Sequence, residues 1–359
     1  MPNQFNSIPR GIPGKPEPLT LRVPDKDLAE FLDLLRLSKI GPATWWNQHN
    51  DGRYGLSREW LSEAKETWLS TFNWRSHEDH INSFPNFKIT IKDPEAGETS
   101  PHHVIVPSLP DYGFLSGASE SIEMTIERAA RIMNQLMVDL GFGNGYIAQG
   151  GDLGSMLARI LSVQYAQCKA FHVNMLVLNP DQTPPSSDNI APEEAEHMKR
   201  TEVWQQTGLA YALEHGTRPA TIGLAISSSP IALLAWVGEK LLEWVDPQHP
   251  LPLDSILGMV TLYWFTSTLP RGLYHAELVK NFAAGKSHPI SREKPMGYSL
   301  FAYDLVLVPE AWAREIYPNL VGFWRHDEGG HFASLEQSRV FLGDIEEFVV
   351  GVRGKFYTE

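Results

Sequence analysis

The chain has 359 residues, 42% of them hydrophobic and 20% charged, which excludes a disordered tail and gives apolar mass for about two domains or one large α/β domain with insertions. Thirty Lys and Arg against 43 Asp and Glu leave a net charge of −13, which argues against nucleic acid or an anionic membrane as the main partner. The one cysteine, Cys168, rules out an internal disulfide or a cysteine metal cluster, and a lone thiol suits a reducing, cytoplasmic setting and a soluble protein.

Residues 1–17 are rich in Pro and Gly and read as an extended arm, without the apolar run of a signal peptide. Apolar spacing at Leu28, Phe31, Leu32, Leu34 and Leu35 predicts a surface helix over 24–37, and Ser57 opens a second over 57–72. Residues 87–92 alternate and predict a strand. Then come a short buried-type strand at 103–107 (His-Val-Ile-Val-Pro), a helix over 121–141, a strand at 145–149, a helix at 155–166 and a strand at 169–178. Strand, helix, strand, helix, strand implies right-handed crossovers in a doubly wound, mostly parallel sheet.

From 179 to about 294 the pattern changes to helices, Trp and Pro, a helical insertion of the lid type. Its most apolar stretch, 230–245, is broken by Glu239, Lys240 and Glu243. It is too short and too charged to span a bilayer and reads as an amphipathic helix packed on a core, with peripheral membrane contact left open. Strand character returns at 296–308 and 320–325, and 334–352 closes with a helix. The expected organisation is an N-terminal meander over 1–85, a first core segment over 86–178, a lid over 179–294 and a second core segment over 295–359.

The chemistry sits at Gly150-Gly151-Asp152-Leu153-Gly154-Ser155, between a predicted strand and a predicted helix. Small-x-nucleophile-x-small at such a junction is the sharp turn of α/β-hydrolases. An Asp there also reads as a plain helix cap, but glycines on both sides weigh for the nucleophile. Asp in place of Ser decides the reaction class: a saturated carbon attacked by Ser gives an ether that water cannot cleave, whereas attack by Asp gives a hydrolysable ester. The expected substrate is therefore an epoxide or an alkyl halide. In this fold the order is nucleophile, acid, His. Of the histidines in His326-Asp-Glu-Gly-Gly-His331-Phe332, His331 follows Gly-Gly and precedes a helix, so it is the candidate base. The orienting acid is Asp304 or Glu310, with spacing alone putting Asp304 only slightly ahead.

At these residues the chain resembles the epoxide hydrolases of the microsomal type, within the α/β-hydrolase superfamily. The resemblance rests on residues 73–78 (Asn-Trp-Arg-Ser-His-Glu), 82–87, 103–110, 145–155 and Gly329-Gly-His-Phe332, and runs from about 19 to 352. It implies a meander of helices wrapping a lid, a hydrolase core, and two lid tyrosines that hold and protonate the epoxide oxygen. Tyr211 and Tyr274 fall on those positions, and it moves Asp304 clearly above Glu310. The physics agrees: a strained C–O bond leaves readily only when its oxygen is not released as a free alkoxide, and phenols are protonated donors at neutral pH. Trp236, Trp264 and Phe265 would line or back a hydrophobic pocket, a core role being the simpler reading.

The family carries His-Gly-Trp-Pro ahead of its Val-Ile-Val-Pro strand, and the Trp amide forms half of an oxyanion hole whose other half is here the amide of Leu153. This sequence has no such segment: 92–97 run almost directly into 98–104, a loss of about two strands, a helix and their loops. Asp111 also stands where the family usually has Gly, and Asn144 is an extra residue. Beside a working epoxide hydrolase, the sequence therefore leaves room for an impaired or truncated relative, such as a splice product, and for a haloalkane-dehalogenase-like hydrolase. No cofactor and no metal are expected. The expected partners are a small hydrophobic epoxide and water, with no nucleic acid and no membrane span, and the N-terminal arm could clasp a second subunit in a homodimer.

Overall fold

Two N-terminal helices form where the apolar spacing placed them. Helix α1 (Asp25–Leu37) carries Asp25 and Asp27 in its first turn and Arg36 in its last, which suits the helix dipole, and it buries Phe31 and Leu35. Helix α2 (Arg58–Ser70) is capped by Ser57, whose hydroxyl accepts from the Trp60 amide at 3.2 Å. A third helix, α3 (Trp74–Asn82), has no apolar stripe to betray it: its buried positions are Trp74 and the carboxylate Glu78. Glu78 is 1% exposed and accepts from the Trp74 indole at 2.9 Å, the Val23 amide at 2.7 Å and Arg75. This computed structural model describes residues 16–88, 104–114, 123–178, 190–273, 278, 281 and 291–354. Strand β1 (Glu17–Pro18) pairs antiparallel with β2 (Phe87–Lys88), so the arm is tied to the start of the predicted 87–92 strand, whose remainder lies outside the described residues.

Among the described residues the main sheet has four parallel strands in chain order: β3 (Tyr146–Gly150), β4 (Cys168–Val173), β5 (Met296–Tyr303) and β6 (Leu320–Gly330). Helices α4 (Ile126–Met137) and α5 (Leu153–Gln164) pack on one face, where Ile126, Met133, Leu157 and Ile160 meet Phe171 and Tyr298. The C-terminal helix Ser338–Arg353 covers the other face, setting Phe348 and Val352 on Ala170. Near-continuous burial of β4 follows from this double cover. The lid contributes α6 (Pro192–Thr207), α7 (Ala210–Thr217), α8 (Pro219–Ile226), α9 (Pro230–Glu243) and α10 (Leu253–Thr266). Leu233, Leu234 and Leu241 of α9 and Ile256 and Leu257 of α10 share a core with Phe31, Leu35 and Trp68, so α9 is a packed amphipathic helix as expected. Among the described residues no single helix is long and apolar enough to cross a membrane; α8 and α9 pass the length test only as a pair bent by 115°.

The expected strand at 103–107 does not form. Residues 104–109 run as irregular chain, with Val104 76% and Val106 88% exposed, while Ile105 and Leu109 touch the core. A buried-type strand needs a hydrogen-bonded neighbour, and among the described residues β3 is paired on one side only, to β4. Other boundaries shift by a few residues: the 296–308 strand ends at Tyr303, and the 320–325 strand runs on to Gly330. The 121–141 helix is Ile126–Met137 followed by a wide turn over Val138–Phe142, where Gly141 adopts φ 88°. Asp111 sits at φ 65°, a left-handed conformation that explains why glycine suits that position.

Trp68 joins meander to lid: it is 1% exposed, meets Phe31 edge-on at 5.3 Å and donates its indole N–H to Thr261 Oγ1 at 3.0 Å. Trp68→Ala should cost about 3–5 kcal/mol. Urea denaturation checks this, and a loss below about 1 kcal/mol would contradict that role.

Candidate active site

The strand-to-helix turn after β3 is sharp. Asp152 has φ 47° and ψ −123°, a strained backbone for a residue with a side chain. Its geometry depends on Gly150, where an added Cβ would lie 2.1 Å from the Gly154 carbonyl oxygen. At Gly151 a Cβ would lie 2.7 Å from the Asn174 side-chain amide. The hydroxyl of Ser155 closes the turn by donating to the Asp152 carbonyl at 2.6 Å. The Asp152 side chain is 48% exposed and caps nothing in α5, so the helix-cap reading does not describe it. Leu153 is the first residue of α5.

His331 follows the end of β6, and its Nε2 lies 3.7 Å from Asp152 Oδ2. On the other side of the ring, Nδ1–H donates to Asp304 Oδ1 at 2.9 Å. Asp304 follows β5, its side chain is fully buried, and the same oxygen accepts from the Leu305 amide at 2.7 Å. The Asp304 carbonyl meets His197 Nε2 of α6 at 2.6 Å. Burial disfavours the charged imidazolium, but the hydrogen bond to Asp304 and the negative charge of Asp152 and Asp304 outweigh it, and His331 is pushed up to about 10. The two alternatives left open by spacing lie elsewhere. His326 bonds Asp344 at 2.7 Å against the C-terminal helix, and Glu310 opens another helix and pairs with Arg314.

Tyr211 of α7 is half-buried. Burial and the charge on Asp152 push its phenol above the ordinary range, which keeps it a protonated donor. Its ring lies 5.1 Å from Trp244 and 5.5 Å from His215, and His215 Nε2 accepts from the Trp236 indole at 2.9 Å. Tyr274 lies outside the described residues. The chain leading to it is anchored by the Tyr112 hydroxyl, which donates to the Gly272 carbonyl. Trp264 and Phe265 pack on Phe31 and take the core role.

Sequence reasoning missed Trp244, whose ring meets His331 edge-on at 5.2 Å and whose carbonyl accepts the His331 amide at 2.8 Å. It missed Tyr263 of α10 as well, a half-buried phenol within reach of the Asp152 charge. Neither has a local signal, because each owes its place to the lid folding over the sheet. A cavity of about 890 Å³ lies between residues 50–63, the lid and the end of β5. It touches Asp304 from behind, and Asp152 and Tyr211 are not among its walls.

An aspartate on a strained strand-to-helix turn, with an imidazole and a second carboxylate beyond other strand ends, is the arrangement of an α/β-hydrolase with a carboxylate standing in the place of the serine. Residues 16–112 match the family described as "Epoxide hydrolase N terminus". The chain is 37% identical over 402 aligned positions to a putative epoxide hydrolase of Dothistroma septosporum, covering 98% of this chain and 94% of that one. That alignment is longer than the 359 residues of the chain, so the relative holds stretches this chain lacks. It is 40% identical to the Aspergillus niger epoxide hydrolase structure, with a TM-score of 0.88 over 97% of this chain and 99% of that one. The juvenile hormone epoxide hydrolase of Bombyx mori shares the fold at 20% identity, with a TM-score of 0.81 and 96% of each chain covered. The chain belongs to the epoxide hydrolases of the α/β-hydrolase type, enzymes that hydrolyse epoxides, and these relatives do not favour the impaired or haloalkane-dehalogenase-like readings.

Two outcomes follow. Gly150→Ala forces the turn apart and should lower turnover by about 10²-fold with the fold retained, as read by steady-state kinetics beside circular dichroism. His331, raised from 6.5 to about 10, stabilises the fold fully below about pH 6.5 and loses that contribution as pH rises through about 10. The stability advantage of wild type over His331→Gln should therefore shrink across that window in thermal melts. An advantage that stays constant with pH would mean the imidazole is not held charged.

Proposed function

We propose that the enzyme opens a small hydrophobic epoxide to a vicinal diol through a covalent ester on Asp152. The observation that carries the reading is the single line of contact from Asp152 through the His331 ring to Asp304, at 3.7 Å and 2.9 Å. Asp152 attacks the less hindered ring carbon, and the C–O bond breaks as Tyr211, assisted by Tyr274, gives its proton to the oxygen. The division of labour follows the chain: an N-terminal meander to about residue 85, a core in two segments, and the lid between them carrying the tyrosines.

The electrostatics give the order of events. In the resting state His331 is an imidazolium held by two carboxylates. Ester formation neutralises Asp152, so one of the two partners that keep the ring charged is gone and its pKa falls. The ring then returns its proton to the tyrosinate and becomes the base that the second half needs. Oriented by Asp304, it takes a proton from water, hydroxide adds to the ester carbonyl, and the departing alkoxide recovers that proton. The carboxylic acid left at Asp152 reprotonates the imidazole, and epoxide plus water have become diol. The Leu153 amide supplies one donor to the oxyanion, and since the His-Gly-Trp-Pro donor is missing, hydrolysis of the ester is the slow half.

Single turnover in ¹⁸O-water with a styrene-oxide-type substrate tests this. The first diol should be unlabelled and the label should enter Asp152. Asp152→Asn should give no ester, and His331→Gln should let the ester accumulate. Tyr211→Phe should slow ring opening without abolishing it. Labelled diol in the first turnover with Asp152 unlabelled would mean direct attack by water and would overturn the covalent route.

A further inference from the structure

The His331 loop is held by more than its own chain. Four consecutive backbone N–H groups, those of residues 329–332, all find acceptors. Gly329 donates to Asp246 Oδ2 at 3.1 Å, Gly330 to Glu336 Oε2 at 2.9 Å, His331 to the Trp244 carbonyl at 2.8 Å and Phe332 to Glu336 Oε1 at 2.9 Å. The two carboxylates are themselves linked, because the Asp246 amide donates to Glu336 Oε2 at 2.7 Å. Asp246 is buried, and its oxygens also take the Gln248 amide at 2.8 Å and His249 Nδ1 at 3.0 Å. The fit leaves no slack: a Cβ on Gly330 would lie 2.7 Å from the Trp244 carbonyl oxygen, and Gly329 sits at φ 89°.

We infer that Asp246 and Glu336 are positioning residues for the hydrolytic half-reaction, a paired carboxylate bracket that fixes the backbone of His331 and so aims its ring between Asp152 and Asp304. Asp246 and Trp244 lie just beyond the end of α9, in the lid, whereas Glu336 lies just after the catalytic loop. The bracket therefore couples the seating of the lid to the aim of the base. Neither carboxylate touches the reacting atoms; each acts through the amides on either side of the imidazole. This inference rests on His331 being the water-activating base, as proposed above.

The half-reactions separate the roles. Attack by Asp152 needs no base, whereas ester hydrolysis needs an imidazole aimed to within fractions of an ångström, and a misplacement of about 1 Å costs about 10²-fold. Glu336→Gln puts an amide NH₂ or a weaker carbonyl against the donors of Gly330, Phe332 and Asp246. Asp246→Asn disturbs the Gly329 contact more mildly and serves where the first variant folds poorly. In rapid-quench experiments, each variant should alkylate within about threefold of wild type. Its ester hydrolysis should slow by about 10²-fold for Glu336→Gln and about 10-fold for Asp246→Asn. Ester should accumulate, and kcat and KM should fall together with kcat/KM nearly unchanged, a signature that general loosening of the fold does not produce.

Unchanged ester hydrolysis in folded Glu336→Gln and Asp246→Asn, or equal slowing of both half-reactions, overturns the bracket. His331→Gln run in parallel tells this apart from failure of the wider mechanism. If it accumulates ester while the bracket variants do not, only the bracket is wrong; if it turns over normally, the assignment of the base is wrong.

Discussion

Parallel strands end at the same edge of a sheet, and this constraint builds the site. β3, β5 and β6 run in one direction, so the residues that follow their carboxyl ends, Asp152, Asp304 and His331, arrive at one rim although up to 179 positions separate them in the chain. Open α/β sheets place their ligands outside the carboxyl ends of the strands for this reason. What the sequence must add is local: glycine where the turn after β3 folds tightest, and glycines in the loop that carries the histidine. The lid then closes the rim from above, bringing Tyr211 and Trp244 from segments that have no other business with the sheet.

A buried imidazole between two carboxylates is a charge arrangement with a built-in sequence of states. While both acids are ionised the ring is a cation, and the burial that disfavours a charged ring is offset by its two partners. In the proposed mechanism, consuming one acid in a covalent bond changes that balance. Burial first, and then the negative charge at Asp152, push the Tyr211 phenol up and keep it protonated. The ionised Asp152 thus bears on both the imidazole and the phenol, and in the proposed mechanism its esterification alters both together.

The parts of the site that were legible are those with a local cause. Asp152 was visible because a turn this tight needs small neighbours, and Gly150 with its close approach to Gly154 is the physical content of that signal. His331 was visible because Gly329 and Gly330 mark an unusual backbone. Asp304 against Glu310 was not decidable from spacing, since both follow a strand-like run and only the fold shows which oxygen meets the ring. Trp244, Asp246 and Glu336 carried no local mark at all, because their roles depend on contacts across as many as 90 residues. Helix α3 was missed for a related reason: its inward residue Glu78 is a carboxylate satisfied by hydrogen bonds, and apolar periodicity cannot see it. The Val-Ile-Val run erred in the opposite direction. Its composition is that of a central strand, but composition does not provide a neighbour.

That run also shows how the catalytic arrangement coexists with a missing segment. The missing segment precedes β3 in the chain, just before residues 104–106, which leave two valines exposed, and among the described residues β3 is paired on one side only. Every strand that carries a proposed catalytic residue lies on β3 or beyond it on that paired side, with β4 between as a fully covered spacer. The relation of Asp152 to His331 and Asp304 is therefore fixed by strands that are all present. The His-Gly-Trp-Pro donor expected from the family resemblance falls within the missing segment, so its absence bears on the proposed ester hydrolysis and not on the proposed bond-forming step. The proposed nucleophile, base and acid all follow the ends of paired strands, as does Leu153 with its amide, and only the second proposed oxyanion donor belongs to the segment that is missing.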